Sequence, residues 1–263
     1  MFMNDNTIET IAYQLIQAQD NSEPITPLTE SFPSFSIEDA YRIQFCLREI
    51  KIKRGEHPIG WKVGATSRAI MEQLSIHEPI LGHLLNSSIY SPESQVIPWE
   101  GFIKPGIEPE IAFRIEREIK GPGVDHLMVS EAIEWVLPAI EIVDCRIKNW
   151  KIKIQDAIAD NSLHRGILVS SCGTSFKGLR LADEKVTVKI NDQTAALGEG
   201  KNVLGNPVNV VVWLANKLAE FGMSLNPGDI IMTGSVTHFL MVQRGYKVKV
   251  SFDRLGSLEF SFR

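Results

Sequence analysis

Residues 106–113 read Gly106-Ile107-Glu108-Pro109-Glu110-Ile111-Ala112-Phe113. As a strand, alternation sends Glu108, Glu110 and Ala112 to one face and Ile111 and Phe113 to the other. Two carboxylates then stand side by side, ~7 Å apart at the backbone. Their side chains are long enough to converge on one divalent ion. The competing reading is an edge strand with both glutamates in water, since Glu-x-Glu is also a common chance pattern.

A second stretch, Pro138-Ala139-Ile140-Glu141-Ile142-Val143-Asp144, sets a carboxylate inside an otherwise apolar strand. An unpaired buried carboxylate is costly, so Glu141 requires a cation or a donor. Three glutamate oxygens with open water positions suit a hard ion, Mg2+ or Mn2+. Upstream, Lys62 lies in Ile59-Gly60-Trp61-Lys62-Val63-Gly64. In a dry pocket its pKa would fall and it could transfer protons, whereas a strand lysine can also simply reach to solvent.

Further strands are expected at Ile59–Val63, Val186–Ile190, Ile230–Thr233, Lys247–Phe252 and Leu258–Phe262, with a short helix at Ser67–Leu74. Val208–Phe221 is long enough for a helix, with Gly222 as its C-cap. Before residue 57 the pattern is helical. Ile8, Ile11, Ala12, Leu15 and Ile16 recur at helical spacing, and Ala40, Ile43, Leu47 and Ile50 do so behind an N-cap at Ser36. The expected organisation is α+β, with an N-terminal helical region over 1–56 and a catalytic sheet domain over 57–263.

The formal net charge of −5 disfavours a nucleic-acid partner, which needs a basic field. The one basic run, Arg146–Lys153, reads as a solvated face. The three cysteines are far apart and form no Cys-x-x-Cys pair, which fits a reducing compartment. No signal peptide or membrane-length apolar run is visible, so a cytoplasmic protein without a membrane partner is expected. His57, His77, His83 and His126 fall in expected loops.

Six segments occur together in order: Ile59–Thr66 (IGWKVGAT), Gly106–Phe113 (GIEPEIAF), Pro138–Arg146 (PAIEIVDCR), Ile158–Asn161 (IADN), Leu204–Val208 (LGNPV) and Gly228–Ser235 (GDIIMTGS). From about residue 36 onward the chain resembles the 2-oxopent-4-enoate hydratase and 4-oxalocrotonate decarboxylase family of the fumarylacetoacetase-like superfamily. The resemblance implies a rolled mixed β-sandwich and an Mg2+ or Mn2+ ion held by Glu108, Glu110 and Glu141. It implies Lys62 as the proton-transfer residue, with Asp144, Asp156 and Asn161 near the pocket. Catalytic places are expected for Lys62, Asp144 and His164. Substrate-binding places are expected for Ile80, Asp156, Asn161, Ser162, Arg165 and Ser235.

The implied substrate is a short 2-oxo or 2-hydroxydienoic acid of the kind met in aromatic-compound degradation. Hydration to a 4-hydroxy-2-oxo acid is the leading expectation. Decarboxylation of a 4-oxalocrotonate-type acid and a non-catalytic partner subunit are the alternatives, with an acylpyruvate hydrolase more distant. A homo-oligomer, and a complex with a homologous hydratase or decarboxylase, are further implications. Two departures from the hydratase pattern stand out. Ile80 replaces an acidic residue, and Leu163, His164 and Arg165 follow Ser162 where small residues are usual. These side chains either reshape the pocket or point away from it. His238 is a candidate for the pocket rim.

Overall fold

The computed structural model describes residues 3–263. The N-terminal part is three helices, α1 (Asp5–Asn21), α2 (Leu28–Ser31) and α3 (Ile37–Lys53). Asn4 and Ser36 cap α1 and α3 by accepting the backbone N–H of Thr7 and Asp39. The apolar faces expected from the spacing are buried in both helices.

The chain continues through β1 (Pro58–Gly64), α4 (Arg68–Leu74), β2 (Ile80–Leu85), β3 (Ile89–Tyr90), β4 (Val96–Ile97) and β5 (Gly106–Ile115). Then follow α5 (His126–Ala132), β6 (Ile133–Val143), α6 (Ile154–Ala159), β7 (His164–Val169), β8 (Lys185–Ile190) and β9 (Gln193–Glu199). The last elements are α7 (Pro207–Glu220), β10 (Ile230–Ser235), β11 (Leu240–Met241), β12 (Lys247–Phe252) and β13 (Gly256–Phe262). An eight-stranded mixed sheet runs β2-β1-β10-β5-β6-β7-β3, with β11 also on β5. A five-stranded sheet runs β4-β13-β12-β8-β9. The fold is therefore an α+β, rolled mixed-sheet architecture with N-terminal helices. No helix among the described residues is long and apolar enough to cross a membrane.

The central pair, β5 and β6, is antiparallel with Glu108 opposite Glu141. One face of this pair, with Ile107, Ile111, Phe113, Ile140 and Ile142, enters the main core. That core also takes in Ile11 and Leu15 of α1 and Val248 and Phe262 of the second sheet. The other face carries the glutamates above a small separate cluster that includes Ala112, Leu137, Ala139, Ile167 and Met232.

Pro109 stands in the middle of this sheet, where a missing N–H is normally costly. The ladder is already open there. β10 pairs with β5 as far as Ser235 opposite Glu110, and β11 resumes only at Leu240 opposite Ile107. Between them Val236 donates its N–H to the Pro109 carbonyl while the chain leaves the sheet. The break exposes the backbone edge beside both glutamates.

Candidate metal centre

Glu108, Glu110 and Glu141 each offer a carboxylate oxygen, and these oxygens lie within 4.8 Å of one another. The solvated-edge alternative is thereby excluded. Glu110 and Glu141 are fully buried, and Glu108 is half-buried at the floor of an open cleft. Glu110 accepts the Gly234 N–H at 2.7 Å through Oε2, while its buried Oε1 has no partner. Gly234 has φ +94°, and a Cβ there would lie 2.1 Å from Thr66 Oγ1, so glycine is required for that donation.

Lys62 reaches the same spot from β1. Its Nζ lies 2.9 Å from Glu141 Oε2 and donates to the Ser162 carbonyl at 2.9 Å. On the other side, His164 Nδ1 sits 2.7 Å from Glu141 Oε1. Ser162 is presented by three successive non-glycine residues in the left-handed region, Asn161 (φ +50°), Ser162 (φ +52°) and Leu163 (φ +61°). Such backbone persists only when its surroundings over-determine it. Here the Asn161 amide brackets His83, accepting its N–H and donating to its carbonyl. Buried Arg146 grips Asp160 and donates to the carbonyls of Asp144 and His164.

Two buried carboxylates and one half-buried carboxylate face one ammonium, so the site is short of positive charge. Burial, reinforced for Glu110 by the charge of Glu141, pushes Glu110 well above the usual carboxylate range. Burial pushes Glu108 up to about 7. Burial would raise Glu141 too, but Lys62 and His164 overcome it and hold this carboxylate low. The lowered lysine expected from sequence belongs to a pocket with a metal; with the carboxylates uncompensated the direction is opposite. Burial disfavours the Lys62 ammonium, but Glu141, Glu108 and Glu110 outweigh it and raise its pKa. An unpartnered buried oxygen, a two-charge deficit and an all-oxygen donor set fit one hard divalent cation.

The remaining expected residues separate into two groups. Ser162 touches Lys62, and Ser235 and His238 line the cleft of about 960 Å3 that opens over Glu108. Ile80 is buried opposite Gly64, close to Lys62. Asp144 and Asp156 do not join the carboxylates. Asp144 accepts the N–H groups of Ile103, Lys104 and Cys145, which fixes that loop to the end of β6. Asp156 accepts the N–H and hydroxyl of Thr29 and the N–H of Lys153, tying α6 to α2. Asn161 likewise spends its amide on β2, and Arg165 turns away to lie over the Phe102 ring. Arg146 and His83 were misplaced by the sequence reading. Arg146 is buried rather than on a solvated face, and His83 is buried in β2 rather than in a loop.

A mixed rolled sheet with a lysine-flanked tricarboxylate at its centre defines a class of fold and site rather than one reaction. The chain belongs to the fumarylacetoacetate (FAA) hydrolase C-terminal family, whose model matches residues 56–263. It is 36% identical to 2-hydroxyhexa-2,4-dienoate hydratase of Comamonas testosteroni, over 97% of each chain. It is 38% identical to 2-hydroxypent-2,4-dienoate hydratase of Pseudomonas putida, over 84% of this chain and all of that one. The structure of 4-oxalocrotonate decarboxylase from Pseudomonas putida G7, complexed with magnesium and adipate, is similar with a TM-score of 0.95 and 31% identity, each chain covered to 99%.

Proposed function

We propose that this protein is a divalent-metal-dependent lyase that hydrates a short 2-hydroxy-2,4-dienoate to a 4-hydroxy-2-oxo acid. The observation that carries the reading is the convergence of Glu108, Glu110 and Glu141 beside Lys62, with Glu108 reaching the lining of an open cleft. Similarity to two dienoate hydratases over most of the chain supports the substrate class. Glu108, Glu110 and Glu141 would hold Mg2+ or Mn2+. Such an ion supplies Lewis-acid polarisation of the substrate's carboxylate end and adjacent oxygen.

The chain's own residues account for the rest. With a cation held by the glutamates, the acid end of the substrate would lie at the cleft floor beside Glu108. Val236 and Phe239, among its walls, give an apolar course for the hydrocarbon end. Lys62 is the one buried ammonium beside the carboxylates, and it is positioned to deliver a proton and recover it. Ser162 fixes the angle of that ammonium through its carbonyl. Ile80 beside Lys62 favours a second reading, decarboxylation of a 2-oxo-enedioate, because no acidic group is present there to assist water. The magnesium- and adipate-bound decarboxylase is consistent with this alternative. A homo-oligomer, association with a homologous lyase and a cytoplasmic location complete the proposal.

The test is to supply the protein and Mg2+ with 2-hydroxypenta-2,4-dienoate and, separately, with 4-oxalocrotonate. Hydration is read from loss of the dienol absorbance together with a 4-hydroxy-2-oxo product, and decarboxylation from released CO2. Metal-dependent hydration is expected. CO2 release without hydration would select the second reading, and turnover in neither arm would defeat both.

A further inference from the structure

We propose that a second cavity, behind the carboxylate centre, binds a small oxyanion that also carries a hydroxyl, with hydrogenphosphate as its simplest form. The cavity has a volume of about 230 Å3 and lies between the N-terminal helices and the end of the central sheet. Leu15 and Leu47 wall it from the helices, and His83, His164 and Arg165 from the sheet. None of its lining residues lines the cleft over Glu108. At ~30 Å3 per water it has room for several waters or one compact polyatomic ion.

Its charge balance selects the sign of the ligand. Asp160 is consumed by Arg146 and Asp20 lies 3.7 Å from Arg54, so Lys51 and Arg165 face Glu56 as the one remaining carboxylate of the lining, a surplus of a single positive charge. Lys51 has no carboxylate partner among the described residues and makes only a long bond of 3.4 Å to Gln19. Arg165 donates only a 3.4 Å bond to the Gly101 carbonyl, and its buried Nε has no partner. Burial lowers the pKa of Lys51, opposed by the nearby charge of Glu56 and reinforced by those of Arg146 and Arg165. Two histidines alone could suggest a metal, but this surplus of positive charge opposes one.

The histidines define the second requirement. His83 and His164 are 2% and 6% exposed, and His83 Nδ1 and His164 Nε2 are buried without partners. His164 Nδ1 lies 2.7 Å from Glu141 Oε1, and the proton of a neutral imidazole placed on Nδ1 for that contact leaves Nε2 a lone pair that needs a donor. A ligand that meets both demands brings anionic oxygens for Lys51 and Arg165 and one O–H for the imidazole. Bound there, it would touch His164 directly and so lie one side chain away from Glu141.

Isothermal titration calorimetry of the full chain, kept metal-free with a chelator, tests this with inorganic phosphate, sulfate and acetate in separate arms. Phosphate is expected to bind saturably at one site. Sulfate, which has no hydroxyl at neutral pH, is expected to bind about tenfold more weakly, as is acetate. Lys51→Met, which keeps the apolar stem, should weaken phosphate about tenfold or more. His83→Gln should weaken it independently should Lys51→Met fail to fold. Absence of saturable phosphate binding, or affinity unchanged in the folded variants, would overturn the site. Equal binding of sulfate and phosphate would overturn the hydroxyl requirement.

Discussion

The two faces of β5 obey opposite physics. Ile107, Ile111, Phe113 and Ile115 are fully buried on one side and gain from leaving water. One residue along, Glu108 and Glu110 are packed against the same backbone on the other side, with a buried oxygen unpartnered. The core face stabilises the fold by itself. The carboxylate face is a cost until a cation arrives, and it is tolerated because the core face is so well packed.

The sharpest way to break this contrast is Glu110→Gln. Burial and the charge of Glu141 push Glu110 well above the usual range, towards its neutral form, which Gln mimics. Activity with Mg2+ should fall about 10³-fold or more, equivalent to ~4 kcal/mol of lost barrier lowering. Metal-free stability in denaturant should stay within about 0.5 kcal/mol. Retained activity would remove Glu110 from the ligand set. Phe113→Ala, on the core face, should reverse the pattern. It should cost about 3–5 kcal/mol in stability and leave metal binding intact in the folded fraction.

The third prediction uses pH. The raised pKa values of Glu108, about 7, and Glu110 mean the folded, metal-free protein holds protons that the unfolded chain releases near pH 4.3. The folded state therefore binds more protons above that pH, and its stability contribution from these groups falls as pH rises through about 7. A cation removes the penalty by taking the ionised form. Saturating Mg2+, worth about 2.7 kcal/mol at a hundredfold excess over Kd, should raise the melting temperature more at pH 8 than at pH 6. A larger gain at pH 6 would contradict the assignment.

The smallest effect concerns a carboxylate that never joins the site. Thr29→Val removes one donor from Asp156 and should cost about 1–2 kcal/mol without changing kcat or KM. A changed KM would return Asp156 to the pocket.

The tricarboxylate was legible because strand alternation is local: Glu108 and Glu110 share a face by spacing alone. The pairing of Glu108 with Glu141 required the sheet register, which the sequence does not carry locally. Strand β2 escaped the reading because all six of its residues are buried and Ile80–Leu85 shows no alternation. β7 was likewise missed. Asp144 and Asp156 looked like pocket groups because a buried acid demands partners. The partners are backbone and hydroxyl donors as distant in sequence as Thr29, and no local pattern shows them. Arg146 was read by its charged neighbours, whereas its fixation comes from Asp160 fourteen positions later.

The gap in the ladder at Pro109 has an evolutionary side. Residues 236–239 wall the cleft and meet β5 through the Val236 N–H and the Phe239 ring against Gly106, outside the ladder, while both glutamates are anchored in continuous pairing with β6. Insertions or deletions in that segment could therefore resize the chamber for longer or shorter acids and leave the cation's seat undisturbed. A lineage could diversify its diet there at small risk to its chemistry.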